Sequence, residues 1–132
     1  MSLEIKYIKD GGDLSKERIV FAPRKKLQLG EYMILRTIAS GGDPTTGILD
    51  MFWFPDAVVG KNDTIVLYTK TGKKRIKEHN DEEKTHFYYW GLPEPIWGEK
   101  GFSAVVVFAS AWSALATSDD RVSFYQSDLS EV

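Results

Sequence analysis

Along most of this chain apolar and polar residues alternate with a period of two, and helical spacing is nearly absent. Leu3, Ile5 and Tyr7 alternate with Glu4 and Lys6, which predicts a half-buried strand ended by Gly11 and Gly12. A second strand is expected over 16–22, with Ile19, Val20 and Phe21 as its apolar run. Pro23 stops it, having no amide hydrogen for a ladder, and the basic triplet Arg24, Lys25, Lys26 reads as a solvated connection. Over 32–38 the pattern puts Tyr32, Ile34 and Ile38 on one face and Met33 and Leu35 on the other. Residues 39–44 are a loop by composition. A strand rich in large apolar groups follows over 48–54, then turns at Pro55-Asp56 and at 60–63. Residues 64–69 are β-branched or aromatic almost throughout, and 102–108 form another apolar run between glycines. Residues 109–117 admit either one helical turn, with Trp112 and Leu115 on one side, or a loop. Asp119 and Asp120 predict a turn, and 121–125 a closing strand with Val122 and Phe124 on one face. Many short strands with turn signals between them predict an all-β chain, an antiparallel β-sandwich or barrel.

Two segments interrupt this regularity. Residues 70–86 are strongly polar, basic in the first half (Lys70, Lys73, Lys74, Arg75, Lys77) and acidic in the second (Glu78, Asp81, Glu82, Glu83). With Ile76 as the only large apolar residue there, the segment reads as a long charged loop or an extended hairpin tip. It leads into Phe87-Tyr88-Tyr89-Trp90-Gly91-Leu92-Pro93-Glu94-Pro95-Ile96-Trp97-Gly98, the densest aromatic stretch of the chain. Burying a large ring stabilises a fold by roughly 1.5–3 kcal/mol, so Phe87, Trp90 and Trp97 are expected to anchor the core. Tyr88 lies on the opposite face from Phe87 and Tyr89 and is expected to be an exposed contact residue. Leu92, Pro93, Glu94 and Pro95 form a stiff loop that loses little entropy on binding, and they join Tyr88 as candidate partner-binding residues.

Composition narrows the class. A chain of 132 residues fits one domain, 1–132, and its 13% aromatic share favours strands. A net charge of −2 gives no global pull toward nucleic acid or acidic lipid. The absence of cysteine removes disulfides, thiol catalysis and cysteine-ligated zinc, and leaves the redox compartment open. Residues 1–6 lack the apolar core of a signal peptide, and no apolar run approaches the ~20 residues of a membrane helix. The expectation is a soluble protein without a membrane partner, cytoplasmic by default, or secreted if a leader has been removed.

Candidate chemistry is sparse. Lys73, Lys74, Arg75 and Lys77, with Arg24, Lys25 and Lys26, could meet phosphates, but no aromatic is interleaved in that sequence and the acidic half follows directly. His79, Asp81, Glu82, Glu83 and His86 carry metal-ligand chemistry without the spacing of a zinc or calcium site. No serine sits in a nucleophile elbow, and no glycine-rich phosphate loop opens a helix. No catalytic residue, metal or cofactor is therefore expected. A protein partner leads, nucleic acid through the basic segment 70–77 is the alternative, and homodimerisation through an edge strand suits a sandwich.

Phe54-Pro55-Asp56, Val58-Val59 and the run Asn62-Asp63-Thr64-Ile65-Val66-Leu67-Tyr68 resemble the lamin tail domain family. That family has a Phe-Pro-Asp-Gly turn, a spacer and a strand ending near tyrosine. Tyr89-Trp90-Gly91 with Ile96-Trp97 is similar to its Tyr-Trp-Gly and Val-Trp elements, and Leu29-Gly30-Glu31-Tyr32-Met33-Ile34 to its Leu-x-Gly-Trp-x-Leu. The resemblance runs from about Ile5 to Phe108 in the family's order. This chain departs from it at Glu31-Tyr32, at Ala57 and at Gly98-Glu99-Lys100-Gly101-Phe102, all turn or packing positions. The resemblance implies an immunoglobulin-like sandwich of a free-standing prokaryotic type, used as a binding module. With no rod, heptads or prenylation box in the sequence, a free-standing member of the family rather than a lamin is expected.

Overall fold

A computed structural model describes residues 1–118 and 121–127, and their regular secondary structure is almost entirely strand. The predicted turn at Asp119 and Asp120 lies outside the described residues. One sheet contains β1 (Leu3–Lys9), β2 (Arg18–Pro23), β7 (Thr64–Tyr68), β9 (Lys84–Tyr89) and β8 (Arg75–Glu78), in that spatial order. The second contains β10 (Phe102–Phe108), β4 (Tyr32–Ser40) and β5 (Asp43–Trp53). Two small ladders complete the fold, β3 (Leu27–Gln28) with β6 (Val58–Val59), and β11 (Ala111–Leu115) with β12 (Val122–Gln126). Among the described residues all pairings are antiparallel except β7 with β9.

The larger sheets are layered as a sandwich because their apolar faces meet. Ile19, Phe21, Ile65, Leu67 and Tyr88 from the first sheet form one buried cluster with Tyr32 and Ile34 from the second and Phe54 beside it. Phe54 is the centre of a chain of edge-to-face rings, 5.5 Å from Phe21, 5.3 Å from Phe52 and 5.5 Å from Tyr88. Trp90 and Trp97 pack on this cluster with ring centroids 6.4 Å apart, the anchoring role expected of them.

Details of the pattern change at irregularities. The β1–β2 register shifts between Ile5 and Tyr7, and Tyr7 ends up exposed rather than half-buried. Ile38 keeps the face of Tyr32 and Ile34 by register, opposite Phe102, but lies outside the buried cluster and is exposed. The predicted loop at 39–44 tightens to a two-residue turn, Gly41 and Gly42, between paired Ser40 and Asp43. Both glycines have positive φ (59° and 89°), as a hairpin of that length requires. Pro23 belongs to β2, at its end, opposite Leu3. Residues 109–117 contain a strand, neither a helical turn nor a loop.

One buried carboxylate ties together three connections at one end of the first sheet. Glu17 is fully buried, and its two oxygens accept hydrogen bonds from the Gly12, Ile96 and Trp97 amides (2.8–2.9 Å) and the Thr69 hydroxyl (2.5 Å). Its own carbonyl accepts from Thr69 N–H. Burial pushes the Glu17 pKa up, but the four donors outweigh it, and the group titrates below its ordinary 4.5. Stability from this site is therefore present above the unfolded-state glutamate pKa and lost as pH falls through the lowered folded one.

Replacing Glu17 by glutamine keeps the shape but turns an amide NH2 toward donors. We expect Glu17→Gln to lower unfolding free energy by about 2–4 kcal/mol in urea titrations at pH 7. The loss relative to wild type should shrink as pH falls below 4.5 and through the lowered folded-state pKa, where the wild-type carboxylate also protonates. An unchanged midpoint at pH 7 would refute this account of Glu17.

Candidate functional site

The predicted contact residues do not form one patch. Tyr88 is only 6% exposed, because β9 turns it inward against Phe54, beside Leu67 of β7. The expectation of an exposed Tyr88 is therefore corrected, and burial raises its phenol pKa above the usual 10. Alternation along 87–89 keeps its phase, with Tyr88 on the buried face. Phe87 faces out with Tyr89, and the two rings flank Tyr68 at 6.5 and 5.4 Å; Phe87 is not a core anchor. Leu92 is half-buried, whereas Pro93, Glu94 and Pro95 are exposed beside the Glu17-bound amides of Ile96 and Trp97.

The charged segment is a hairpin, one of the two forms expected. β8 and β9 pair antiparallel around a turn at 79–83, where the Asn80 side chain accepts from the Glu82 and Glu83 amides. Arg75 stands opposite Phe87 and Lys77 opposite Thr85, so both cations share the outer sheet face with Tyr68, Phe87 and Tyr89. The Arg75 guanidinium lies 4.0 Å from the Phe87 ring centre, and Lys70 and Arg18 lie 4.9 and 5.8 Å from that of Tyr68. Lys73 and Lys74 are exposed in the approach to β8. Aromatics absent from the basic run in sequence are thus brought beside it by strand pairing. Asp81 and Glu82 instead line a cavity of about 330 Å³ with Ile76 and His86.

In that cavity Asp63 Oδ2 lies 2.9 Å from His86 Nε2 and accepts from Gly60 N–H, while Oδ1 accepts from Lys84 N–H. Burial raises the Asp63 pKa, and the Gly60 amide, the His86 contact and the Lys84 amide together lower it further than burial raises it. His86 has a carboxylate partner, but its buried Nδ1 meets no hydrogen-bonding group. His79 meets the Thr85 hydroxyl at 2.8 Å. Neither histidine joins a carboxylate to a hydroxyl among the described residues. No three His, Asp or Glu side chains converge as metal ligands among those residues.

A broad apolar surface is the outer face of the three-stranded sheet. Register places Met33 beside Trp53 and Val107, and Leu35 beside Met51 and Val105, on one face. Leu49 (47%), Met51 (51%) and Trp53 (44%) on edge strand β5 are openly exposed. At one end of this face the β11–β12 hairpin stands over β5, with Trp112 5.6 Å from Trp53, edge to face, and stacked on Tyr125 at 5.6 Å. Sequence periodicity carries no sign of this aromatic corner, since its rings come from β5 in the middle of the chain and from the β11–β12 hairpin far along it.

The corner is held by a network around Gly30. Gln28 Oε1 accepts from the Gly30 and Ala57 amides, Trp53 Nε1 donates to Gly30 O (2.7 Å), and Tyr125 Oη donates to Glu31 Oε2 (2.8 Å). A Cβ on residue 30 would overlap the Asp56 carboxylate, so only glycine lets the 54–57 turn seat against the 29–31 turn. Comparisons with protein-family models, curated proteins and solved structures found no match. No helix is long and apolar enough to cross a membrane among the described residues.

Tyr88→Ala should cost about 3–5 kcal/mol in chemical denaturation, as a large buried ring does. Exposed Pro93→Ala should change stability by less than about 0.5 kcal/mol. Equal, small effects would show that Tyr88 is not a core residue.

Proposed function

We propose that this chain is a non-enzymatic binding module, an immunoglobulin-like sandwich of the lamin-tail type that engages another protein. The contact surface is the outer face of the β10–β4–β5 sheet with its edge strand β5. The observation that carries this reading is the exposure of Met51 and Trp53, which register makes neighbours of Leu35 and Met33 and, across β4, of Val105 and Val107. A sheet face this apolar gains from being covered, and an edge strand offers unpaired backbone groups to the partner. The absence of hydroxyl partners at His86 supports a binding rather than a hydrolytic role. Pro55 and Asp56 in a turn and Trp90 and Trp97 as packing rings support the lamin-tail reading.

A photo-crosslinking residue at Met51 should capture one defined partner, a second copy of this chain included, whereas the same residue at exposed Glu99 should not. Met51→Lys should reduce capture from a photo-crosslinking residue at Leu49 at least about tenfold, roughly the loss expected for a central apolar contact. Equal labelling at the Met51 and Glu99 sites would overturn the reading.

A second reading is favoured by the outer face of the other sheet, where Arg75 and Lys77 lie among Tyr68, Phe87 and Tyr89. Cations interleaved with rings suit single-stranded nucleic acid. Oligonucleotide affinity should then fall steeply with salt and drop when Lys73, Lys74, Arg75 and Lys77 are changed to alanine. A flat salt response would remove this reading.

A further inference from the structure

The aromatic corner between β5 and the β11–β12 hairpin borders an open cavity of about 480 Å³ lined by Trp53, Pro55, Asp56, Trp112 and Tyr125. We infer that this cavity is a binding site for a quaternary or fully methylated ammonium group.

Three features of the cavity point to that chemistry. The first is the set of ring orientations. Trp53 and Trp112 stand at 87° to one another, so π surfaces bound the cavity from two directions, with Tyr125 stacked behind Trp112 at 13°. The face of an aromatic ring carries negative potential, and Trp gives the strongest cation attraction of the three aromatic side chains.

The second is charge. Asp56 supplies a carboxylate at the wall, and among the described residues no basic side chain forms an ion pair with it. Lys74 and Arg75 share a neighbouring cavity with Asp56, but the Arg75 guanidinium is seated over Phe87. The Asp56 charge is thus available to a cation from outside. Its position is fixed: Gly30 leaves room for the carboxylate, and Gln28 holds the adjoining Ala57 amide.

The third decides which cation. A lysine ammonium brings three N–H donors and an arginine guanidinium five, and each buried donor needs an acceptor. The Gly30 carbonyl at the cavity already accepts from Trp53, and the Tyr125 hydroxyl is turned to Glu31, leaving Asp56 as the charged acceptor at the wall. A methylated ammonium has no such demand, spreads its charge over its methyl groups, and is weakly hydrated. It matches rings plus one carboxylate better than a bare ammonium does.

The site needs no partner protein, so it stands or falls separately from the sheet-face reading. The test is a titration of the folded chain with tetramethylammonium, with choline and with 3,3-dimethylbutan-1-ol, the neutral carbon analogue of choline. The four indole N–H signals provide the local readout in NMR. Choline and tetramethylammonium should bind saturably and shift the Trp53 and Trp112 signals, leaving Trp90 and Trp97 in place. The neutral analogue should bind at least about tenfold more weakly, because the cation–π and carboxylate attractions are lost while shape is kept. Asp56→Asn should weaken choline at least about threefold without moving the Trp53 signal in the free protein. Trp112→Ala should abolish binding, with the circular dichroism of the β-sheets retained as a check on folding. A trimethyllysine peptide that outcompetes choline assigns the group to a protein side chain, and the reverse order assigns it to a free small molecule. Equal binding of choline and its neutral analogue, shifts confined to other tryptophans, or no saturation below about 10 mM would overturn the inference.

Discussion

The geometry of this sandwich depends on the carboxylate of Glu17. It meets the β1–β2 connection at Gly12, the end of β7 through Thr69, and the proline loop through Ile96 and Trp97. No cation is needed at this site, since a carboxylate with four donors is satisfied by dipoles alone. Three connections at one end of the first sheet are thereby tied to a single group, and Trp97 packs against Trp90 on the core beside it. The stiffness that two prolines give the 92–96 loop would be of little use without a fixed end, and Glu17 supplies one.

The protein separates its surface into unlike faces on that frame. The five-stranded sheet shows rings capped by cations, and the three-stranded sheet shows bare aliphatic and thioether side chains. Asp81 and Glu82 of the acidic half line the His86–Asp63 cavity, away from the ring-bearing face of Arg75 and Lys77. A net charge near zero therefore conceals separated charges, and only the pairing of β8 with β9 reveals which side each occupies. The aromatic corner is a third kind of surface, built where a hairpin late in the chain meets an edge strand from its middle.

Much of the fold was legible because alternation and turn chemistry are local. The apolar run at 102–108 coincides with β10, and the glycine pair at 41–42 sits at a hairpin turn. Alternation says which residues share a face, not which face is inside. Tyr88 was misassigned because that choice belongs to its neighbours, Leu67 across the ladder and Phe54 across the core. β11 was illegible for a different reason: its alanines and serine carry no apolar rhythm, and its strand form comes from pairing with 122–126. The pocket around Trp53 was the least legible of all. It exists through hydrogen bonds to a carbonyl and a glycine contact, neither of which leaves a mark in hydropathy.

The single parallel ladder, β7 with β9, has a consequence for how the chain assembles. β8 lies between these two strands in sequence but on the far side of β9 in space. The β8–β9 hairpin closes over a short turn and can form first, whereas the β7–β9 ladder gains nothing until that hairpin folds back alongside it. Tyr88 travels on the inserted strand, so the core receives its ring only at that docking step. A chain arrested before it would expose β7 as a bare strand edge of Ile65, Val66 and Leu67, the apolar template on which a misfolded copy would nucleate.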